Sequence, residues 1–115
     1  TRAELRSPDP TANPYLVLAV CLSAGLDGIR RKLKIPKAVN RNIYDMADSE
    51  RINAGIDNLP ENLMEAGIEL ANDENLKKTL GTHITRVYLD NIKKEWREYS
   101  TQVTDWEIKQ YLYKY

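Results

Sequence analysis

The sequence predicts a mainly helical chain with one short strand at its N-terminus, and three patterns carry this prediction. Over residues 82–99, apolar side chains recur every four residues, as on one face of an amphipathic helix. They are Ile84, Tyr88, Ile92 and Trp96. Residues suited to helix N-termini precede three further stretches. Residues 1–6 alternate with the period of two that is typical of a strand.

The predicted strand places three charged groups on one face. Arg2, Glu4 and Arg6 share that face, and Ala3 and Leu5 lie on the opposite one. A single strand is unstable because its backbone groups need a partner in a ladder. Since no other segment is convincing as a strand, we expect the partner sheet to come from another copy or from a longer parent chain.

The first predicted helix spans residues 13–34. Asn13 can cap its free amides, and Pro14 suits the first helical position. Its first half, residues 15–22, is apolar all round, which predicts burial on every side. A chain of 115 residues has barely enough material to surround such a helix, which again indicates a larger parent protein.

The middle of the chain changes from loop to helix. Residues 35–61 hold prolines, a glycine and several Asn and Asp residues, which predicts a loop region with at most one short helix. Two short helices are predicted over residues 62–80. The first begins at a capping box of Asn62 and Glu65, and the second ends at Gly81, a left-handed terminator.

The C-terminal tail is predicted to be a docking helix over residues 104–112. Thr104 and Glu107 have the spacing of a second capping box. Six of the nine aromatic residues lie in the last twenty positions, whereas termini are usually frayed and polar. We therefore expect this terminus to pack on another surface. The six are Trp96, Tyr99, Trp106, Tyr111, Tyr113 and Tyr115.

Composition excludes several classes of function. The 17 Lys and Arg residues balance 17 Asp and Glu residues, so we expect neither nucleic acid nor a membrane surface as a partner. One cysteine is too few for an intramolecular disulfide or a Cys-rich zinc module.

No apolar run reaches the roughly 18 residues of a membrane span, so we expect a soluble, cytoplasmic protein. The length suits a single unit, and a start at Thr1 without methionine indicates a fragment.

Three isolated features have ordinary structural interpretations. His83 is the single histidine, with no second His or Cys placed to share a metal, so a surface or capping role is simpler. Cys21 lies in an apolar helix and is most simply a small hydrophobe. The basic run over residues 30–37 falls at a helix end, where cations complement the helix dipole, and a phosphate-binding patch is the alternative.

The one constellation with chemical promise is Arg2, Glu4 and Arg6. A carboxylate between two guanidiniums stays ionised and can ligate a hard cation. The arginines can hold carboxylate or phosphate oxygens through forked hydrogen bonds. The alternative interpretation is an ordinary solvated strand face with alternating charges.

Short motifs occur in order along the whole chain. They are Arg-Ala-Glu-Leu-Arg at 2–6, Pro-Asp-Pro at 8–10, Ala-Asn-Pro-Tyr-Leu at 12–16, Ala-Gly-Leu-Asp-Gly-Ile at 24–29, Asn-Ile-Tyr-Asp at 42–45, Leu59-Pro60, Leu80-Gly81, Glu95-Trp96 and Thr-Gln-Val-Thr-Asp-Trp-Glu at 101–107. Each motif alone is weak, but the ordered set is specific. It resembles the C-terminal quarter of a bacterial type I glutamine synthetase, which is the helical C-terminal part of an α+β catalytic domain.

The resemblance implies an ATP-dependent glutamate–ammonia ligase. Such enzymes transfer the terminal phosphoryl group of ATP to glutamate, and ammonia then displaces phosphate. The position matching Glu4 implies a ligand of Mg²⁺ or Mn²⁺, and the position matching Arg6 implies contact with glutamate and the transferred phosphoryl group. Arg2 would lie on the nucleotide side. The resemblance also implies a dodecamer of two hexameric rings joined through the C-terminal tail, and an inactive isolated fragment.

Tyr44 matches a tyrosine that one subgroup of the family adenylylates. The distance from Tyr44 to Leu59-Pro60 is more similar to the shorter subgroup that lacks this control, so an unmodified loop tyrosine is the alternative. Two other functions also remain open. One is an independent helical interaction module, which would include binding of a regulatory protein, and the other is a family relative that has lost catalysis.

Overall fold

The computed structural model describes residues 1–2 and 4–114. In that part of the chain the helices are α1 (Pro14–Arg30), a 3-10 turn (Ile43–Asp45), α2 (Asp48–Asn53), α3 (Leu63–Asn72), α4 (Glu74–Ser100) and α5 (Asp105–Tyr111). None of these helices combines the length and the apolar character that a bilayer crossing requires.

Side-chain caps begin the main helices where the sequence suggests. The Asn13 side chain accepts hydrogen bonds from the amides of Tyr15 (3.0 Å) and Leu16 (3.3 Å) at the start of α1. Asn62 accepts from the Glu65 amide at 2.9 Å, and Asp73 from the Leu76 amide at 2.9 Å. These bonds satisfy amides that have no partner within the helix. The capping box at Asn62 differs from the expected pattern in one bond. The Glu65 carboxylate accepts from the backbone amide of Glu61, not from that of Asn62.

The first helix ends at Arg30, four residues before the predicted end. Lys32 has a φ of 53°, and the amide of Leu33 donates to the carbonyl of Gly28 at 3.0 Å. This is a Schellman motif, in which a left-handed residue turns the chain out of the helix. The end of α2 has the same motif, with Gly55 at a φ of 67°. The sequence hides the first motif because a lysine occupies the usual glycine position.

Gly81 divides α4 into two helices. Its φ of 78° is positive, as a terminator requires, but its ψ of 159° lies outside the left-handed helical region. That combination is essentially restricted to glycine. The predicted break at Gly81 is therefore found, since the run Glu74–Ser100 consists of two helices that meet there at a kink.

Two helices pack against α4. The α3 helix lies on it through Gly67, where an added Cβ would stand 2.9 Å from Cγ2 of Ile92. The α1 helix is linked to it by hydroxyl groups. The Thr79 hydroxyl donates to Ser23 Oγ at 2.6 Å, and Ser23 Oγ lies 3.3 Å from Asn75 Oδ1. The sequence interpretation did not single out Ser23, although a polar residue in an apolar helix is the relevant signal.

The core of the described chain is small. Its buried residues are Met46, Gly67, Thr85 and Ile92. The radius of gyration is 18.4 Å, whereas a compact chain of this length has one of about 13 Å. The predicted burial of the first helix is wrong for this chain, since Leu18 and Leu22 are 69% and 66% exposed. Among the described helices, α4 packs against α1, and several large apolar side chains of α1 remain exposed.

The predicted strand over residues 1–6 is not found. Residues 1–2 and 4–7 have no regular secondary structure, and Ala3 lies outside the described residues. The physical reason is the one that makes any single strand unstable: the described part of the chain offers no second strand with which to form a ladder.

Candidate functional site

The charged residues near the N-terminus form a contiguous Arg–Glu–Arg triad (Arg2, Glu4 and Arg6). The Arg6 Nε donates to Glu4 Oε1 at 2.8 Å, and Arg2 Nη2 lies 3.6 Å from Glu4 Oε2. Each guanidinium thus meets a different oxygen of one carboxylate. Both arginine side chains are about 85% exposed and Glu4 is about half exposed. The sequence placed these three groups together, and the structure brings them into contact without a strand.

A short turn connects the triad to α1. The amide and the hydroxyl of Thr11 both donate to Asp9 Oδ1, at 2.8 and 2.5 Å. The hydroxyl and then the amide of Thr11 lower the pKa of Asp9 below its usual range. The Asn13 cap follows two residues later. Local hydrogen bonds thus order residues 9–16, between the triad and the first turn of α1.

The triad suits a hard cation only as part of a larger ligand set. A carboxylate oxygen is the ligand type that Mg²⁺ and Mn²⁺ prefer, and Glu4 keeps free lone pairs beside its arginine partners. However, the described residues contain no cluster of three or more acidic, histidine or cysteine side chains that could enclose a metal. This chain could therefore donate one ligand, and further ligands would have to come from other residues.

The guanidiniums suit anionic oxygens in the same way. Their exposed N–H groups are free to form forked hydrogen bonds with a carboxylate or a phosphoryl group. The triad does not line the groove of about 920 Å³ between α1 and the junction of α3 and α4, where Asp27, Arg31 and Asp73 lie. The triad is an open surface feature of the chain.

The other candidate residues lie apart from enclosed sites. Tyr44 is 98% exposed within the 3-10 turn, so its phenol is fully accessible. His83 is exposed near the start of the second half of α4, and Cys21 is half-buried within α1. The described residues bring no metal-binding cluster to any of the three.

The C-terminal tail forms a small aromatic cluster that faces solvent. Trp106 and Tyr111 meet edge to face with ring centroids 5.9 Å apart, and Lys114 Nζ lies 5.5 Å from the Tyr111 ring. Both rings are more than half exposed, as is Tyr113. The capping box forms: Thr104 donates its amide to Glu107 at 2.7 Å and accepts from the Glu107 amide at 3.2 Å. Tyr115 lies outside the described residues.

A charged N-terminal segment and helices with uncovered apolar faces are typical of one part of a larger protein domain. A family model described as the catalytic domain of glutamine synthetase matches residues 1–111. The chain belongs to this family.

Known proteins agree with that assignment. A glutamine synthetase of Clostridium saccharobutylicum is 51% identical over 115 residues, which are the whole chain and 26% of that protein. One from Methanococcus voltae is 49% identical over 112 residues, or 97% of the chain and 25% of the relative. A solved structure described as apo GmaS without ligand is 35% identical, with a TM-score of 0.79 over 94% of this chain and 24% of that one. The chain thus spans about a quarter of the length of its relatives.

Proposed function

We propose that the chain is the C-terminal part of a type I glutamine synthetase, a cytoplasmic ligase that joins ammonia to glutamate through a γ-glutamyl phosphate. The single observation that carries the proposal is the contact of one carboxylate, Glu4, with two guanidiniums, Arg2 and Arg6, in a chain of this family. Phosphoryl transfer needs cationic groups aimed at the charged oxygens of the transferred group, and this triad supplies two of them.

Each residue of the triad has a proposed role. Glu4 would be one ligand of a divalent cation, Mg²⁺ or Mn²⁺, which when bound would neutralise phosphate charge. Arg6 would bind the glutamate substrate and the phosphoryl oxygens. Arg2 would face the nucleotide, ATP. The 2.8 Å bond from Arg6 Nε to Glu4 Oε1 supports this division because it places a cation beside the carboxylate that would ligate the metal.

The chain alone should not make glutamine. The described residues hold no cluster of metal ligands, and the chain is about a quarter as long as its relatives. The remaining ligands, the adenine site and the ammonia site would come from the rest of the enzyme. We expect the isolated chain to show no glutamine formation with glutamate, ATP, ammonia and Mg²⁺.

The proposal includes assembly and regulation. The exposed aromatic tail would insert into a facing ring of a dodecamer built from two hexamers, because aromatic groups are enriched where proteins pack together.

Tyr44, which is fully exposed, is accessible to an adenylylating enzyme, and its modification is the proposed off-switch if this protein follows the regulated subgroup. A regulatory protein could bind the same C-terminal part of the enzyme.

A chimera tests the activity. The matching quarter of the Clostridium saccharobutylicum enzyme is replaced by this chain, and glutamine formation is measured together with the oligomeric state. We expect an active oligomer. In that chimera, Glu4→Gln should lower kcat at least about 100-fold, the scale of losing one group that stabilises the transition state. It should also raise the Mg²⁺ concentration needed for half-maximal activity. Arg6→Lys should mainly raise KM for glutamate and lower kcat.

The matched control is Arg41→Lys, because Arg41 forms an exposed ion pair with Glu50 at 3.3 Å and has no proposed role in catalysis. Its activity should equal that of the parent chimera. A chimera that assembles but makes no glutamine would favour the relative that has lost catalysis. Full activity of the Glu4→Gln chimera would exclude the proposed metal role.

An interaction module is the second candidate, favoured by the exposed aromatic tail and the uncovered face of α1. It predicts that the chain folds and binds a partner without the rest of the enzyme. Size-exclusion chromatography and circular dichroism of the isolated chain separate the two. A low free energy of unfolding, measured by circular dichroism, fits the enzyme part, and a value of about 5 kcal/mol or more, as in independent domains, fits the module.

A further inference from the structure

The segment between α1 and the 3-10 turn has an open backbone. Residues 33–40 have no regular secondary structure, and every one of them is exposed. No backbone hydrogen bond between described residues involves residues 34–41. The aliphatic side chain of Ile35 is 93% exposed, so packing does not hold the segment either. This stretch can therefore enter the cleft of another protein without any unfolding of the chain.

An open backbone of this kind is what an endoprotease requires. Exposed chain outside helices and strands is the preferred place of proteolytic cleavage. A recognised peptide lies extended in its cleft, where main-chain hydrogen bonds give affinity and side-chain pockets give specificity. A helical segment can meet these demands only after it has opened locally. The free backbone of residues 34–41 meets them as it stands.

The lysines of this segment differ in what precedes them. Lys32 has a φ of 53°, and the Leu33 amide donates to the Gly28 carbonyl at 3.0 Å, so the residues before Lys34 are held in the end of α1. Lys37 instead follows Pro36, whose ring fixes an extended φ of about −65° and favours extended backbone in the residue before it. The backbone is thus free on both sides of Lys37 alone among these three lysines.

The fold holds the other interior Lys and Arg residues. Arg31 pairs with Asp27 at 3.0 Å, and Arg41 pairs with Glu50 at 3.3 Å. The remaining ones between residues 42 and 109 lie in α2, α4 or α5, and Arg30 lies in α1. By contrast, no ion pair among the described residues involves Lys37. Its ammonium group is available to the carboxylate of a protease pocket.

We propose that the Lys37–Ala38 peptide bond is the preferred interior cleavage site of an endoprotease whose specificity pocket ends in a carboxylate. The reaction is hydrolysis: the C–N bond breaks, and water supplies the hydroxyl of a new Lys37 carboxyl group and a proton for a new Ala38 amino group. After the cut, α1 would stay on α4 only through contacts such as Ser23 with Thr79. This proposal does not depend on the proposed ligase activity.

Limited digestion with trypsin gives the first test. The 115-residue chain is digested at a low ratio of protease, and its products are identified by intact mass. Cuts near the two termini remove only a few residues and are scored separately. We expect fragment 38–115 to be the first interior product, with Lys37 cut at least about tenfold faster than any site in α4, because that helix must open first. Equal rates at Lys37 and in α4 would overturn the proposal.

Two peptides separate the effect of structure from that of sequence. One spans residues 33–42, and the other spans residues 88–99 and contains Lys93 and Lys94. Lys37 should be cut in its peptide within about threefold of its rate in the chain, because no opening is needed. The α4 sites should be cut at least about tenfold faster in their peptide than in the chain. Protection of Lys37 in the chain as strong as that of the α4 sites contradicts the open segment.

A charge-matched pair of variants tests the choice of bond. Lys37→Gln should abolish fragment 38–115, because the amide cannot pair with the carboxylate of the protease pocket. The control Lys34→Gln removes one cation from the same exposed segment and should leave the cut after Lys37 unchanged. Circular dichroism checks that both variants keep their helices. If the Lys37→Gln chain is cut elsewhere in residues 31–41 at the original rate, Lys37–Ala38 is not the preferred bond.

Discussion

A Cβ atom added to Gly67 would lie 2.9 Å from Cγ2 of Ile92, so α3 and α4 approach through a position that has no side chain. Both residues are among the few that the described chain buries. The contact between them is therefore close to the centre of the small core, and it predicts the sign of several substitutions.

Gly67→Ala should destabilise the chain by about 1–2 kcal/mol. Overpacking costs about 1–3 kcal/mol, and the removal of a helical glycine returns about 0.5–1 kcal/mol. Ile92 is buried and branched at Cβ, so it has little freedom to move away. Urea unfolding followed by circular dichroism measures the change.

Two companion variants make this prediction specific. Gly25→Ala, in the middle of α1, meets nothing within 4 Å and should stabilise the chain by about 0.5–1 kcal/mol. In the Ile92→Leu background, where the branched methyl is gone, Gly67→Ala should cost clearly less. An equal cost in both backgrounds would mean that the clash with Ile92 is not the cause.

The two Schellman motifs predict opposite effects at equivalent positions. Lys32→Gly should stabilise the chain by up to about 1 kcal/mol, because a lysine with a φ of 53° carries strain that glycine lacks. Gly55→Ala should destabilise by about 1 kcal/mol for the converse reason. Lys34→Gly removes the same charge outside a helix end and serves as the control. Two changes of the same sign in the urea midpoints would contradict this account.

The Ser23–Thr79 pair should fix the contact of α1 with α4. Ser23→Ala should cost about 0.5–1.5 kcal/mol, because the Thr79 hydroxyl loses its 2.6 Å partner and keeps only the Asn75 carbonyl, 2.8 Å away. The control Ser49→Ala, on exposed α2, should change stability by less than about 0.5 kcal/mol. A double-mutant cycle with Thr79→Val measures the coupling, and strictly additive costs would show that the hydroxyls do not interact.

The cap of α5 should titrate with acid. The Thr104 amide, and then its hydroxyl, lowers the pKa of Glu107 below its ordinary 4.5. A lowered pKa means that the cap is fully formed above the ordinary value and is lost as the pH falls through the lowered one. The Thr104 amide resonance in NMR spectra should therefore shift with a midpoint below 4.5. Glu107→Gln should abolish this transition, and a midpoint at or above 4.5 would refute the cap.

Local signals made much of the helical structure predictable. The Asn13, Asn62 and Thr104 caps depend on neighbouring residues, which a sequence displays directly. The C-terminus of α1 was less predictable because Lys32 occupies a position that glycine usually marks. The strand at 1–6 depends on a ladder partner, so its pattern alone could not decide its state.

The sequence predicted which residues form the triad, but not the backbone conformation that brings them together. Period-two spacing placed Arg2, Glu4 and Arg6 together, and the ion pairs bring them together without a strand. The Ser23–Thr79 link joins residues 56 positions apart, which no local pattern reveals. Burial of α1 was mispredicted because apolar composition shows that a helix needs a cover, but not that this chain contains one.

The uncovered side of α1 has a consequence for the free chain inside a cell. Leu18, Leu22 and Ile29 leave a run of aliphatic groups open to water. Chaperones that hold unfolded proteins bind such surfaces, and proteases degrade chains that remain bound to them. Unless a protein surface covers this helix soon after synthesis, we expect the polypeptide to have a short lifetime, and its abundance would then report how quickly that cover arrives.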